Sequence, residues 1–384
     1  MFEVEVERIL PGGMGLAHAG GKTVFVALAA PGDRVRVRVE REQGNVLFAS
    51  IVEIITPSPV RIEPPCPYFG RCGGCDFQQL TYEAQLAAKS EMIRDCLQRI
   101  ARLENVPEIL VTPSPHDWRY RMRATWQIDR EEGTIGYYER GSRRVCDVVD
   151  CAVLRPELQA KLEAVRATEW HQFPPDLKHL NVVSGENGVS FAPPFADFET
   201  HELSLTVRGE VYRYNAAGFF QINPLLLGPL IDFALGDASG ESALDLYSGV
   251  GLFTLPLSRR FQRVIGVEAN PVAVSFARRN LQDAGLANAR VITADVAGWF
   301  RSAEVRDVKF ILLDPPRAGA DSAVIKGILD LHPTQISYVS CDPATLARDL
   351  RKLVAAGYTI RSIRGFDLFP QTHHVETVVR LRHS

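Results

Sequence analysis

No apolar run in the 384 residues approaches the roughly 18–20 needed to cross a bilayer. The opening Met1-Phe2-Glu3-Val4-Glu5-Val6-Glu7 lacks the basic start of a secretory leader. Both absences lead to the expectation of a cytoplasmic protein without membrane contact. Cysteine is scarce and odd in number, at 7, which excludes a disulfide framework. A surplus of positive charge is also missing: 43 Lys and Arg stand against 46 Asp and Glu, a net charge of −3. That excludes a surface gripping a polyanion all over and leaves room only for local basic stripes. What is present is 46% hydrophobic and 23% charged residues, enough for a large core and two or three domains.

The chain reads in three pieces. Residues 1–55 alternate apolar and polar between Gly and Pro turns, the pattern of a small β-barrel. Here Arg34, Arg36 and Arg38 alternate with valines, which puts three guanidiniums on one strand face; that face is either an RNA contact or a solvated surface. The piece resembles a TRAM domain, an OB-like RNA-binding barrel, through Gly12-Gly13-Met14-Gly15-Leu16-Ala17, Val24-Phe25-Val26 and Ala30-Pro31-Gly32-Asp33. Residues 56–205 are less regular. Thr81–Leu103 has helical spacing, and Trp118–Trp126 alternates Arg119, Arg121 and Arg123 with other residues, reading as a strand with one basic face. No motif stands out between Arg155 and Glu202.

Residues 206–384 alternate strand and helix. Ala243–Leu246, Val264–Glu268, Val291–Thr293, Phe310–Leu313 and Ile336–Ser340 predict a parallel doubly wound α/β sheet, with Thr359–Phe366 and Val375–Leu381 as an antiparallel pair at its edge. The first strand runs into Asp245-Leu246-Tyr247-Ser248-Gly249-Val250-Gly251, and Glu268 ends the second, where a carboxylate accepts ribose hydroxyls. Position 254 is Thr rather than the third small residue of a dinucleotide fingerprint, so NAD fits poorly. These residues resemble a Rossmann-like class I methyltransferase, which implies S-adenosylmethionine and makes Asp295 the partner of the adenine amino group; Asp295 also suits a helix cap.

The fourth strand ends in Asp314-Pro315-Pro316-Arg317, the fifth in Ser340-Cys341-Asp342-Pro343, and Glu376 follows in a later segment. A thiol and a carboxylate belong together chemically at such an edge. Uracil C5 is too weak a nucleophile to attack a sulfonium methyl until a thiolate has added at C6. The product then needs a base to take the C5 proton. Cys341 is the candidate nucleophile and Glu376 the candidate base, and Asp314 is placed to orient the pyrimidine. His373 and His374 carry no comparable support.

Taken over nearly its whole length, the chain resembles the RNA uracil-5-methyltransferase family. Gly218-Phe219-Phe220-Gln221-Ile222-Asn223 matches the family's Phe-x-Gln-x-Asn motif. The resemblance implies cofactor contacts at Gln221, Tyr247, Gly249, Gly251, Glu268, Asp295 and Asp314. Leu252 departs from the family by replacing a polar contact.

Cys66-x5-Cys72-x2-Cys75, rich in glycine, converges three thiols. Zinc sites favour paired Cys-x2-Cys arms, whereas iron–sulfur clusters take four thiolates, one of them distant in sequence. Cys146 and Cys151 are the available fourth ligands, and the family pattern implies a [4Fe–4S] cluster held by Cys66, Cys72, Cys75 and Cys151. A barrel joined to such a cluster implies an enzyme making 5-methyluridine in 23S ribosomal RNA, with RNA as partner and no obligatory protein partner. The alternatives are a tRNA uracil-54 enzyme and a non-catalytic RNA-binding assembly factor. A radical methylthiotransferase would leave Asp314, Cys341 and Glu376 unexplained.

Overall fold

Alternation at the N-terminus becomes a closed barrel in the computed structural model, which describes residues 1–302, 305 and 307–383. Its strands run in the order Phe2–Glu5, Arg34–Gln43, Val46–Thr56, Lys22–Val26, Gly15–Ala19 and Arg8–Ile9. The first and last are one bent strand. Val6 donates its N–H to Asp33 on one side and Glu7 donates to Leu16 on the other, which closes the ring. Val4, Val6, Val24, Val26, Val35 and Val37 fill the interior. The turn at Pro31-Gly32-Asp33 is fastened through the fully buried Asp33, whose carboxylate accepts from the Ala30 and Ser58 N–H groups and from Arg61.

The helix expected over Thr81–Leu103 forms as Tyr82–Arg99, capped by the Thr81 hydroxyl, which accepts from the Ala84 N–H. Its apolar stripe, including Ile93, Cys96 and Leu97, packs into the core beneath the doubly wound sheet. The stretch between Arg155 and Glu202, which offered no motif, folds as well. Helix Pro156–Ala167 covers a five-stranded antiparallel sheet in the order Val145–Asp147, Thr134–Tyr138, Arg123–Asp129, His179–Gly185 and Gly188–Ala192.

The C-terminal sheet has eight strands: Ala289–Thr293, Phe261–Glu268, Gly240–Leu246, Phe310–Leu313, Gln335–Ser340, Glu376–His383, Tyr358–Phe366 and Val111–Thr112. The first five are parallel, and Glu376–His383 inserts antiparallel between Gln335–Ser340 and Tyr358–Phe366. The expected antiparallel pair is therefore present but does not form the border; Val111–Thr112 does. Among the described residues no helix is long and apolar enough to cross a membrane.

Candidate active site and cysteine pocket

Parallel strands deliver their C-terminal ends to one edge, and strand order decides which residues meet there. Gly240–Leu246 lies between Phe261–Glu268 and Phe310–Leu313, so the glycine loop, Glu268 and Asp314 become neighbours. Tyr247 turns the chain at φ +64°, a conformation uncommon for a residue with a side chain. Gly249 follows at +54° and Gly251 at +94°. The Glu268 carboxylate accepts from the Gly249 N–H at 3.0 Å and from the Asn270 N–H at 2.7 Å, bracing the loop. Asp245 is fully buried below it. Its carboxyl is pushed up to about 7 by burial, and the Thr254 hydroxyl donates to it. Asp295 is exposed and accepts from the Gly298 N–H at 2.7 Å, so in this structure it caps the following helix.

The antiparallel insertion brings the thiol and the acid together. Ser340 pairs with Thr377 across the ladder, which sets Cys341 beside Glu376. Asp314 closes the group, and the Gln221 amide donates to it at 3.4 Å. Burial pushes the Cys341 thiol up to about 12, with the charges of Glu376 and Asp314 adding to the rise and Arg317 opposing it. Burial also holds Glu376 well above the carboxylate range and Asp314 at about 7. Glu376 is 3% exposed, and among the described residues one of its oxygens, Oε1, has no hydrogen-bond partner. At the mouth Arg317 donates to His374 Nε2 at 3.2 Å, and burial drives His374 down to about 3, so its ring is neutral.

A second concentration of thiols lies apart from this edge. Cys66, Cys72, Cys75 and Cys151 line one cavity together with Gln78, Arg121 and Tyr137. Among the described residues no three His, Cys, Asp or Glu converge closely enough to hold a metal ion. Cys146 is buried on its strand and does not line the cavity. Among the described residues, the atoms Arg121 Nε, Tyr137 Oη and Gln78 Oε1 are buried there without a geometric hydrogen-bond partner.

A family model described as tRNA (Uracil-5-)-methyltransferase matches residues 195–384. Another, described as the TRAM domain of tRNA (uracil(54)-C(5))-methyltransferase, matches residues 2–60. An uncharacterized RNA methyltransferase of Gloeobacter violaceus is 33% identical, over 99% of this chain and 96% of the relative. One of Thermotoga maritima is also 33% identical, over 99% and 98%. The chain belongs to the RNA uracil-5-methyltransferase family. The solved Pyrococcus abyssi tRNA (uracil-54, C5)-methyltransferase in complex with S-adenosyl-L-homocysteine resembles it throughout, at 27% identity and a TM-score of 0.75, covering 98% of this chain and 100% of that one. This is therefore an S-adenosylmethionine-dependent RNA methyltransferase with a class I fold and an N-terminal TRAM domain.

Within this methyltransferase the two arginine runs behave differently from simple basic stripes. Arg34 and Arg36 bind Glu3, Arg36 also reaches Glu53, and Arg38 pairs with Glu40, so the exposed strand face is neutralised. The expected strand over Trp118–Trp126 begins only at Arg123, because Arg119 takes φ +53° and breaks the alternation. Arg119 pairs with Asp150 at the surface, Arg121 turns into the cysteine cavity and Arg123 donates to the Gly218 carbonyl at 2.7 Å. One face thus becomes three separate environments. Asp76, Tyr137 and Gln371 carried no signal in the sequence, since their partners lie far along the chain.

Proposed function

We propose that this enzyme methylates C5 of a uridine in structured RNA, with Cys341 as nucleophile, Glu376 as base and Asp314 as the group that orients the ring. The observation that carries the reading is the pairing of a half-buried thiol with a buried, incompletely bonded carboxylate across one ladder of the sheet. Gln221, Tyr247, Gly249, Gly251, Glu268, Asp295 and Asp314 are the residues proposed to hold the cofactor. S-adenosylmethionine, when bound, supplies an electrophilic methyl group.

The chain's own residues supply the rest. Cys341 loses its proton to solvent as its sulfur bonds to C6, and the C5=C6 pair shifts to make C5 an enolate carbon able to accept the methyl. The Glu376 carboxylate then takes the C5 proton. The C5–H pair re-forms C5=C6, the C6–S bond breaks, and its electrons return to Cys341 as thiolate. Burial that raises Glu376 also makes its deprotonated form a strong base, which suits proton removal from carbon.

For the cysteine cavity the proposal is a [4Fe–4S] cluster on Cys66, Cys72, Cys75 and Cys151. A single zinc ion would draw its thiolates to about 2.3 Å from one point. The four cysteines line one shared cavity, and four is the number of thiolates an iron–sulfur cluster takes. Arg121 and Tyr137 bring buried polar groups to the cavity wall, the kind of group that hydrogen-bonds cluster sulfur, and Arg121 offsets negative charge.

Ribosomal 23S RNA is the proposed substrate, resting on the likeness of barrel plus cysteine cavity to the large-subunit enzymes. The full-length likeness to the Pyrococcus tRNA enzyme favours position 54 of tRNA as a second reading. Labelled S-adenosylmethionine with unmodified 23S and tRNA transcripts decides between them. Cys341→Ala is expected to abolish methyl transfer. Glu376→Gln is expected to accumulate a protein–RNA adduct that survives denaturing gels; methylation continuing in both variants would remove the mechanism.

A further inference from the structure

The loop that brings Glu376 into place is built from Asp367 to His374, and most of its fastening comes from outside the C-terminal sheet. Lys89, on the helix after the cysteine loop, pairs with Asp367 and donates to the Phe369 carbonyl at 3.1 Å; both Lys89 and Asp367 are fully buried. Tyr120 donates to the Pro370 carbonyl at 2.9 Å. Gln371 is gripped on both sides. Its N–H donates to Gln85 Oε1 at 2.9 Å, and its carbonyl accepts from the N–H groups of Asp76 and Phe77 at 3.1 and 3.0 Å.

The last fastening before Glu376 is Asp76, the residue after Cys75. One carboxylate oxygen accepts from the His373 N–H at 2.8 Å and the other bonds the His373 ring at Nδ1. The barrel meets them at the same point. Gly13 sits at φ +79°, and a Cβ there would lie 3.0 Å from His373 Cβ and 3.1 Å from an Asp76 oxygen. That turn therefore requires glycine twice over, for its backbone and for its neighbours. Three otherwise separate parts of the enzyme converge on one carboxylate–imidazole contact, three residues before the base.

We propose that Asp76 is a positioning residue for Glu376: it fixes His373, and through the short segment between them holds the base where it can reach the C5 proton. The inference rests on Glu376 being that base. Asp76 touches no reacting atom. It acts on elimination, in which the C5 proton passes to Glu376 and Cys341 leaves C6, rather than on addition or methyl transfer. Since Asp76 adjoins Cys75, the contact ties the cysteine loop to the loop before Glu376.

Asp76→Ala tests this in the full-length enzyme on whichever transcript, 23S or tRNA, accepts methyl. Expected is a kcat lower by on the order of 10- to 100-fold, as for a small misplacement of a reacting group. KM for RNA should change less than about twofold, the wild-type range for a residue outside the binding surface. A methylated protein–RNA adduct should accumulate on denaturing gels. Asp76→Asn, which keeps an acceptor for the His373 N–H, should restore part of the rate. His373→Ala, which leaves the cysteine loop untouched, should accumulate the same adduct should Asp76→Ala fail to fold. Wild-type turnover in the folded variants overturns the proposal, as does lost turnover without adduct while Glu376→Gln traps adduct in parallel. Glu376→Gln that turns over normally removes the base, and the positioning role with it.

Discussion

In the cysteine cavity, Cys66, Cys72, Cys75 and Cys151 share their walls with the inward-turned Arg121, whereas Cys341 shares its edge with three acids, Glu376, Asp314 and Asp342, opposed by the exposed Arg317. Burial raises the thiols in both places, with Cys75 and Cys341 each pushed to about 12. The neighbours then act in opposite senses. Arg121 works against burial at Cys75 and Cys151, favouring thiolates. Glu376 and Asp314 work with burial at Cys341, keeping a thiol until a substrate arrives. A site that holds a group permanently gains from a resident cation. A thiol raised in this way has to lose its proton before it can add to a substrate, so the proposed role of Cys341 needs a proton acceptor at the moment of addition.

The sharpest break in this contrast is between the two candidates for a fourth ligand, Cys151 and Cys146. Cys151 lines the cavity and Cys146 does not. Anaerobically purified wild-type protein is expected to be brown with four irons per chain, the stoichiometry of a cluster on four thiolates. Cys151→Ala should lose nearly all of that iron, and Cys146→Ala should keep it. Equal loss in both, or a colourless zinc-loaded wild type, would dissolve the distinction. Arg121→Met keeps the volume and removes the charge. Its expected effect is smaller, a severalfold loss of iron on dilution or a reduction potential displaced to more negative values, since the cluster loses a cation and a donor. An unchanged potential would mean that Arg121 serves the fold alone.

Much of this was legible in the sequence because it is local or periodic. Strand–helix alternation predicted the parallel sheet, and motifs at strand ends marked Asp314, Cys341 and Glu376, which the strand order then gathers. Thr81 and Leu103 bracket the Tyr82–Arg99 helix. What stayed hidden depends on contacts between distant segments. Asp76 and His373 are 297 residues apart, and no spacing announces such a pair. Arg119, Arg121 and Arg123 show how periodicity misleads: the alternation is real in the sequence, but a positive φ at Arg119 and the cavity beside Arg121 divide it. The core residues of Pro156–Ala167 were passed over since an amphipathic helix without chemistry carries no motif.

At the catalytic edge, pH sharpens the comparison further. Cys341, Glu376 and Asp314 are all raised, so each holds its proton to higher pH than in an unfolded chain. Raising pH must therefore increase both thiolate and carboxylate forms. In the absence of RNA, alkylation of Cys341 by iodoacetamide, mapped by mass spectrometry, should be slow at pH 7 and rise roughly tenfold per pH unit toward pH 10, following the thiolate fraction. Asp314→Asn should speed the reaction above pH 7, where the Asp314 carboxyl is ionised and its negative charge is removed from beside the thiol. A fast, pH-independent reaction would place a thiolate there already and erase the contrast with the cysteine cavity.

The smallest effect is expected at the barrel. Arg34, Arg36 and Arg38 read in the sequence as either a phosphate contact or a solvated face, and each is engaged by a carboxylate on its own barrel: Glu3, Glu53 or Glu40. Exposed pairs of this kind contribute only about 0–1 kcal/mol to stability, so the triple Arg→Gln variant should melt within a few degrees of wild type. Three free arginines on single-stranded phosphates would contribute roughly 2 to the slope of log affinity against log salt. Arginines that must first leave their carboxylates contribute less, so the variant should bind RNA within about threefold of wild type with a nearly unchanged slope. A loss of tenfold or more, with the slope falling by about 2, would mean that RNA strips these pairs on binding. The barrel would then carry its net neutrality only in the free enzyme, and the balance of charge over the whole chain would conceal a surface that becomes basic on contact.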